Sequence, residues 1–340
     1  MVLGADGGAG AAGRLPLPGR AGYRVRVAGT DADRGVAPRV QSGANPQHLL
    51  ATVLGEYLDS ADALLPAATV CALLAEFGIS PASARATPAR LARRGLLAAR
   101  GRGRATTYHL TPQTLARHRS TMQRYLTFGA TPRASTGRWL AVSYSLPEAE
   151  TAHRHAVRRE LGALGFVRLY DSVWIAPDAQ AGPVRTALER LVEPVAGARW
   201  SVMHVRFDDE AGRHGPAAAY DLDGLAAAYR AFVEEHTELH AQVRAGQVSP
   251  ARALVARTTV MDAWRRFADT DPDLPAHLLP DPWPREEARA LFLDVHTALG
   301  PPAVRRLVEV MSPTWPDAAR WVTYFVAGDG PSDPPRRATA

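Results

Sequence analysis

The sequence predicts an α+β protein of three folded segments in a row, and three observations point to it. Between Gln47 and Tyr125, apolar residues recur at helical spacing around a glycine-bracketed basic hairpin. Between Trp139 and Phe207 the pattern runs strand, helix, strand, strand, helix, strand. From about residue 220 to 326 nearly everything reads as helix, broken by an irregular proline-studded turn over Asp271–Pro284.

In the first segment, Leu50, Val53, Leu54, Tyr57 and Leu58 give an amphipathic helix. A second runs from about Pro66 to Phe77, with Val70, Leu73, Leu74 and Phe77 inward. Gly78-Ile79 makes a tight turn, and Ser80 with Pro81 behind it is an N-cap and N1 pair. The third helix extends to Arg94 and closes on Gly95 in the C′ position. Two short strands, Leu96–Arg100 and Ala105–Leu110, are joined by Gly101-Arg102-Gly103-Arg104. Three helices and a basic hairpin over 46–126 make a winged helix-turn-helix, with Thr111 capping a further helix to about Tyr125.

Residues 127–137 are polar and punctuated by Gly and Pro, a linker signal. The second segment, 138–207, has strands at Trp139–Ser145, Phe166–Tyr170, Val173–Ala176 and Trp200–Phe207, with helices at Glu148–Leu164 and Pro183–Val192. That βαββαβ order is the ferredoxin-like split unit. A second linker, 208–219, leads to the helical segment 220–326, with helices at Leu222–Arg244, Pro250–Ala268, Pro284–Leu299 and Pro302–Met311. The Gly/Ala/Arg-rich residues 1–45 read as a disordered extension and 327–340 as a disordered tail.

Composition bounds the function. Of 340 residues, 46% are hydrophobic and 22% charged, as in ordinary globular chains. No apolar run approaches the ~20 residues of a spanning helix, so no membrane role is expected. No basic head precedes an apolar stretch at the N-terminus, and the single cysteine, Cys71, lies in a helical apolar stripe. Both features suit a reducing cytoplasm. The chain has 40 Lys+Arg against 34 Asp+Glu, and every one of those cations is arginine. From Arg85 to Arg104 there are seven arginines and no acid, a local field that attracts polyanions.

A double-stranded DNA partner follows from that field and the helix order. The third helix would lie in the major groove with Ser83, Ala86, Thr87 and Arg90 outward and Arg85 at an edge, while Ala84 and Leu91 face the core. Arginine can donate two bonds to guanine O6 and N7, and small or hydroxyl residues allow close approach. Arg93 and Arg100 extend the basic face, and Arg102 and Arg104 at the hairpin tip are placed for phosphate or minor groove.

These residues together resemble the PaaX family of repressors, over about residues 47–312. In the first segment the family-like stretches are Phe77-Gly78-Ile79-Ser80, Arg85, Arg90-Leu91-Ala92-Arg93-Arg94-Gly95-Leu96 and Tyr108-His109-Leu110-Thr111. In the second they are Gly137-Arg138-Trp139, Ser145-Leu146-Pro147-Glu148, Leu164-Gly165-Phe166 and Val173-Trp174-Ile175-Ala176-Pro177. In the third they are Trp264-Arg265-Arg266-Phe267, Asp271-Pro272-Asp273-Leu274-Pro275, Leu278-Leu279-Pro280 and Trp283-Pro284. The resemblance implies a homodimeric repressor, its winged helix on an operator, released by an effector that is typically an aryl acyl-CoA thioester such as phenylacetyl-CoA. Pro88 departs from the family pattern inside the recognition helix, where an interior proline costs about 3 kcal/mol. Two readings stay open: a continuous, kinked helix, or a late start with Thr87 as N-cap and Pro88 at N1.

The second segment is also similar to the Cas2 fold, whose nuclease members carry an aspartate near the end of the first strand. Here Ala141-Val142-Ser143-Tyr144-Ser145-Leu146 holds no carboxylate, so no nuclease is expected, and pairing of the two copies is the domain's expected role. No glycine-rich phosphate loop or GxSxG elbow occurs, and no catalytic residue, cofactor or metal is expected. His153 and His155, two apart on a helix, point about 200° away from each other. His236 and His240 lie at i, i+4 beside Glu235 but lack the HExxH order. For the effector, Trp264, Arg265, Arg266, Trp283 and Arg285 are the residues singled out, with Phe267, Phe292 and Trp315 as further aromatic lining. Core packing and solvated cations are the alternative reading of the same residues. The rival function is the same scaffold without operator binding, recruited to an enzymatic or ligand-binding role.

Overall fold

In the computed structural model, α1 (Pro46–Tyr57) begins where Asn45 accepts a hydrogen bond from the Gln47 amide and Pro46 supplies a first-turn residue with no amide to satisfy. The structure describes residues 45–101, 103–131, 135–209, 215–327 and 336–337. The expected extension up to residue 44, Arg102, the Arg104 side chain and most of the expected tail lie outside the described residues.

A two-residue strand, β1 (Leu65–Pro66), leads into α2 (Ala67–Ala75), and Gly78 at φ +72° turns the chain into α3 (Pro81–Arg93). β2 (Leu97–Arg100) and β3 (Thr107–Leu110) pair antiparallel, with β1 on the far side of β3. α4 (Pro112–Thr127) leaves the hairpin under Thr111, whose Oγ1 accepts from the Thr114 amide at 3.2 Å. β1 escapes sequence reading because two residues carry no alternation.

The second segment forms β4 (Trp139–Ser145), α5 (Thr151–Ala163), β5 (Val167–Tyr170), β6 (Val173–Pro177), α6 (Ala181–Leu191) and β7 (Arg199–Val205). The sheet order is β5-β6-β4-β7, every neighbouring pair antiparallel. Alternation along β4 divides two cores. Leu140 and Val142 pack with Val157, Leu161 and Val184 under the two helices. Trp139 and Ala141 face the other way, against Ala217, Leu274 and Leu278 of the following chain.

The third segment contains α7 (Leu222–Arg244), α8 (Pro250–Thr270), α9 (Arg285–Ala298), α10 (Gly300–Met311) and α11 (Ala318–Trp321). It ends in β8 (Thr323–Tyr324), which pairs with β9 (Arg336–Arg337) inside the expected tail. Val322 also bridges to Leu58, so the chain returns to the first segment.

The first and third segments share one core. Leu50, Leu54 and Leu73 belong to the same buried cluster as Trp264, Phe292 and Leu307. Polar contacts cross the same boundary: Thr69 to Thr314 at 2.8 Å, Arg306 to Glu76 at 2.7 and 2.9 Å, and the Trp264 indole donating to the Tyr125 carbonyl at 2.9 Å. Helical periodicity reveals which face is apolar, not which helix covers it.

Candidate nucleic-acid interface

α3 is one continuous helix. Ser80 caps it, accepting from the Ser83 amide, and Pro81 stands in its first turn. Thr87 is an interior residue whose Oγ1 donates to the Ser83 carbonyl at 2.7 Å, so the late start with Thr87 as cap is not what the chain adopts. Pro88 has no amide to give the Ala84 carbonyl, yet its ring is buried. Ala84, Pro88 and Leu91, at i, i+4 and i+7, form the inward stripe. That stripe corrects one expectation. Thr87, expected outward, is 0% exposed because it stands three residues after Ala84 and one before Pro88. Arg85, Arg90 and Arg93 are exposed, and Ser83 and Ala86 are half-buried.

Arg100 is exposed at the end of β2. The tip that follows depends on glycine. Gly101 has φ +87°, and a Cβ there would meet the Ala105 carbonyl oxygen at 2.7 Å. Thr106 closes the tip by donating its hydroxyl hydrogen to the Gly103 carbonyl at 2.8 Å. The acid that precedes α3, Glu76, is held by Arg306. Arg85, Arg90, Arg93 and Arg100 therefore present positive charge on a helix and an adjacent strand with no carboxylate in the intervening sequence. Such a face can meet a phosphate backbone.

The residues singled out for an effector are placed differently. Trp264 is 0% exposed and stacks on Phe292 with centroids 4.8 Å apart. Tyr229 stacks on Phe267 at 4.1 Å and meets the edge of Trp283 at 6.1 Å. Arg285 is buried in ion pairs with Asp273 at 2.6 Å and Asp271 at 3.5 Å. Burial raises the Asp271 carboxyl above its usual range, and Tyr229 donates its hydroxyl to it at 2.6 Å. Trp264, Trp283 and Arg285 thus come together as packed aromatic core and internal ion pair. Arg265 turns toward α1 and pairs with Asp262 at 3.1 Å, while Arg266 is exposed. Trp264 and Arg285 offer no open surface to a ligand.

The histidines are occupied separately. His153 pairs with Glu150 at 2.7 Å on the surface, and His155 is exposed nearby. His236 bonds the Phe232 carbonyl at 2.8 Å, and His240 lies 3.2 Å from Asp294. Among the described residues no group of three or more His, Cys, Asp or Glu could hold a metal ion, and no helix is long and apolar enough to cross a membrane. Burial raises the Cys71 thiol above its usual value.

An N-terminal helical unit bearing a basic hairpin, a four-stranded antiparallel sheet backed by two helices, and a helical C-terminal unit define a three-part chain. Family models match its parts in order: PaaX-like protein over residues 45–114, PaaX protein central Cas2-like domain over 132–203, and PaaX-like protein C-terminal domain over 220–309. The chain belongs to the PaaX-like family. It is 24% identical over 265 residues to the transcriptional repressor PaaX of Escherichia coli (strain K12), covering 75% of this chain and 81% of that protein. A solved structure, the uncharacterized protein Rv0674 from Mycobacterium tuberculosis, is 23% identical with a TM-score of 0.49, covering 77% of this chain and 96% of that one.

Proposed function

We propose that the chain is a transcriptional repressor whose residues 46–126 form a winged helix-turn-helix that binds double-stranded operator DNA. The observation that carries this reading is the acid-free array of Arg85, Arg90, Arg93 and Arg100 on α3 and β2. Arg85 and Arg90 are the residues for base edges, with Ser83 and Ala86 small enough to admit them closely. Arg100, with Arg102 and Arg104 beyond it, supplies phosphate contacts. By resemblance to its family the protein acts as a cytoplasmic homodimer paired through the segment 138–207. A small effector, an aryl acyl-CoA such as phenylacetyl-CoA, releases it from DNA.

The rival is the same scaffold without operator binding, which Pro88 and the histidines would favour. It draws no support from a helix that keeps Arg85 and Arg90 in one uninterrupted register. Footprinting on the DNA upstream of the protein's own gene tests the proposal. A protected site that disappears in the Arg85→Ala, Arg90→Ala double variant supports it. Equal, sequence-independent protection by both proteins contradicts it.

A further inference from the structure

A cavity of about 110 Å³ opens between α1, α4, the β2–β3 hairpin and α8. Its wall is largely apolar: Leu54 from α1, Leu91 from α3, Leu97 and Leu110 from the hairpin, Met122 from α4 and Met261 from α8. Four basic side chains also line it: His48 and Arg265, both engaged with Asp262, and the adjacent Arg117 and His118 of α4.

His118 is held there by a gap in α1. A Cβ at Gly55 would lie 3.3 Å from the imidazole, tighter than ordinary contact. A mid-helix glycine costs about 1 kcal/mol against alanine, so its presence marks the close approach of the ring. The His118 Nδ1 is buried and has no hydrogen-bond partner among the described residues. Burial, with the Arg117 charge beside it, pushes His118 down to about 4 and keeps it neutral near pH 7. A buried polar atom left without a partner is costly, so it invites one. Arg117 likewise has no carboxylate in ion-pair range among the described residues, whereas Arg119, Arg124 and Arg265 pair with Asp59, Asp269 and Asp262.

We infer that this cavity binds a small monocarboxylate with a ring-sized apolar body, its carboxylate between Arg117 and His118 and its body among Leu54, Leu91 and Met261. The size sets the class. At about 110 Å³ it falls below the roughly 150 Å³ that takes a benzene, so a single ring must reach into its open mouth and a fused polycycle does not fit. Resting on the reading of α3 as the DNA-contacting helix, the site also has a route to that helix. Leu91 follows Arg90 directly, and Leu97 opens the strand that ends at Arg100. Close-packed interiors transmit added volume as displacement, so a guest against both residues shifts the basic face. Met261 makes the third segment part of the same wall.

The test uses the full chain, first without DNA, with benzoate, cyclohexanecarboxylate and benzene as probes in calorimetry and thermal melts. Benzoate should bind with Kd roughly 0.1 mM and at ten times that concentration raise Tm by about 3 °C. Arg117→Gln, at a half-buried surface position, should weaken benzoate about tenfold and leave benzene unchanged. Ala51→Trp, which fills the cavity, should abolish both. No binding of any probe, or binding indifferent to both substitutions, overturns the site. With upstream DNA present, saturating benzoate should weaken DNA binding about tenfold; unchanged DNA affinity overturns the coupling. A chain that binds benzoate in the Arg117-dependent way but binds no DNA upholds the cavity and contradicts the repressor reading instead.

Discussion

Arg257 of α8 donates to the Glu56 carboxylate of α1 at 2.8 Å, and both side chains are entirely out of solvent. Arg257 also donates to the His296 and Phe325 carbonyls at 2.9 Å and lies over the Tyr57 ring. One buried guanidinium therefore ties the first segment, two helices of the third, and the chain that returns after α11. Removing it leaves a buried carboxylate without its counter-charge. Arg257→Met should cost about 3–5 kcal/mol in chemical denaturation, and Glu56→Gln distinctly less. Equal, small losses would show that the pair does not hold the segments together.

The same pair gives a pH signature. Burial outweighs the pull of Arg257 and raises the Glu56 carboxyl from 4.5 to about 7. The folded state then holds this proton more tightly than the unfolded chain. Its stabilising contribution is fully present below pH 4.5 and is lost as pH rises to about 7. Glu56→Gln should lose that stretch of pH dependence, so the stability gap between native protein and variant narrows or reverses from pH 5 to 8. A gap constant across this range contradicts the raised carboxyl.

His118 should act with the opposite sign. Its folded value of about 4 lies below the usual 6.5, so its contribution is present above 6.5 and lost as pH falls toward 4. Denaturation of His118→Gln should show a flatter acid limb than the native protein between pH 6.5 and 4.5. An unchanged limb means that the ring is not held neutral.

For α3, Ser80→Ala should cost about 1 kcal/mol, as loss of an N-cap does. Pro88→Ala should raise Tm, because it returns an amide donor to the Ala84 carbonyl within a continuous helix. A fall in Tm would mean that the buried proline ring contributes more through packing than its missing hydrogen bond costs.

Much of the architecture was legible in the sequence because it is written in local periods. The apolar stretch opening Trp139–Ser145 marked the central strand, and Ser80, Pro81 and Gly95 bounded α3. Thr87 was misplaced because a polar residue beside Arg85 and Ala86 invites an outward reading. The inward partners Ala84 and Leu91 sit at −3 and +4 from it, a signal that was available. Arg265 and Arg266 follow Asp262 at i+3 and i+4, so their internal pairing was also readable. Arg257 and Glu56 are 201 residues apart, and no local pattern joins them. The cavity was invisible for the same reason: its wall is assembled from five separated elements, with Gly55 in mid-helix the one local sign.

On nuclease chemistry, β4 and the residue after it carry no carboxylate. Protein incubated with Mg²⁺ or Mn²⁺ should leave single- and double-stranded DNA and RNA intact on gels. Cleavage that a chelator abolishes, and that substitutions in 138–207 remove, would assign this segment an activity.

The decisive measurement is the salt dependence of binding to the DNA upstream of the protein's own gene, followed by fluorescence anisotropy. The three phosphate-directed arginines, Arg100, Arg102 and Arg104, predict a log–log slope of about −3 per protomer. Affinity for the upstream site should exceed that for unrelated DNA by about 10³ at physiological salt. The Arg85→Ala, Arg90→Ala double variant should lose most of that preference and leave the slope nearly unchanged. Absence of binding at low salt, or a preference for the upstream site unmoved by the double variant, would contradict the assignment of α3 and its arginines to DNA.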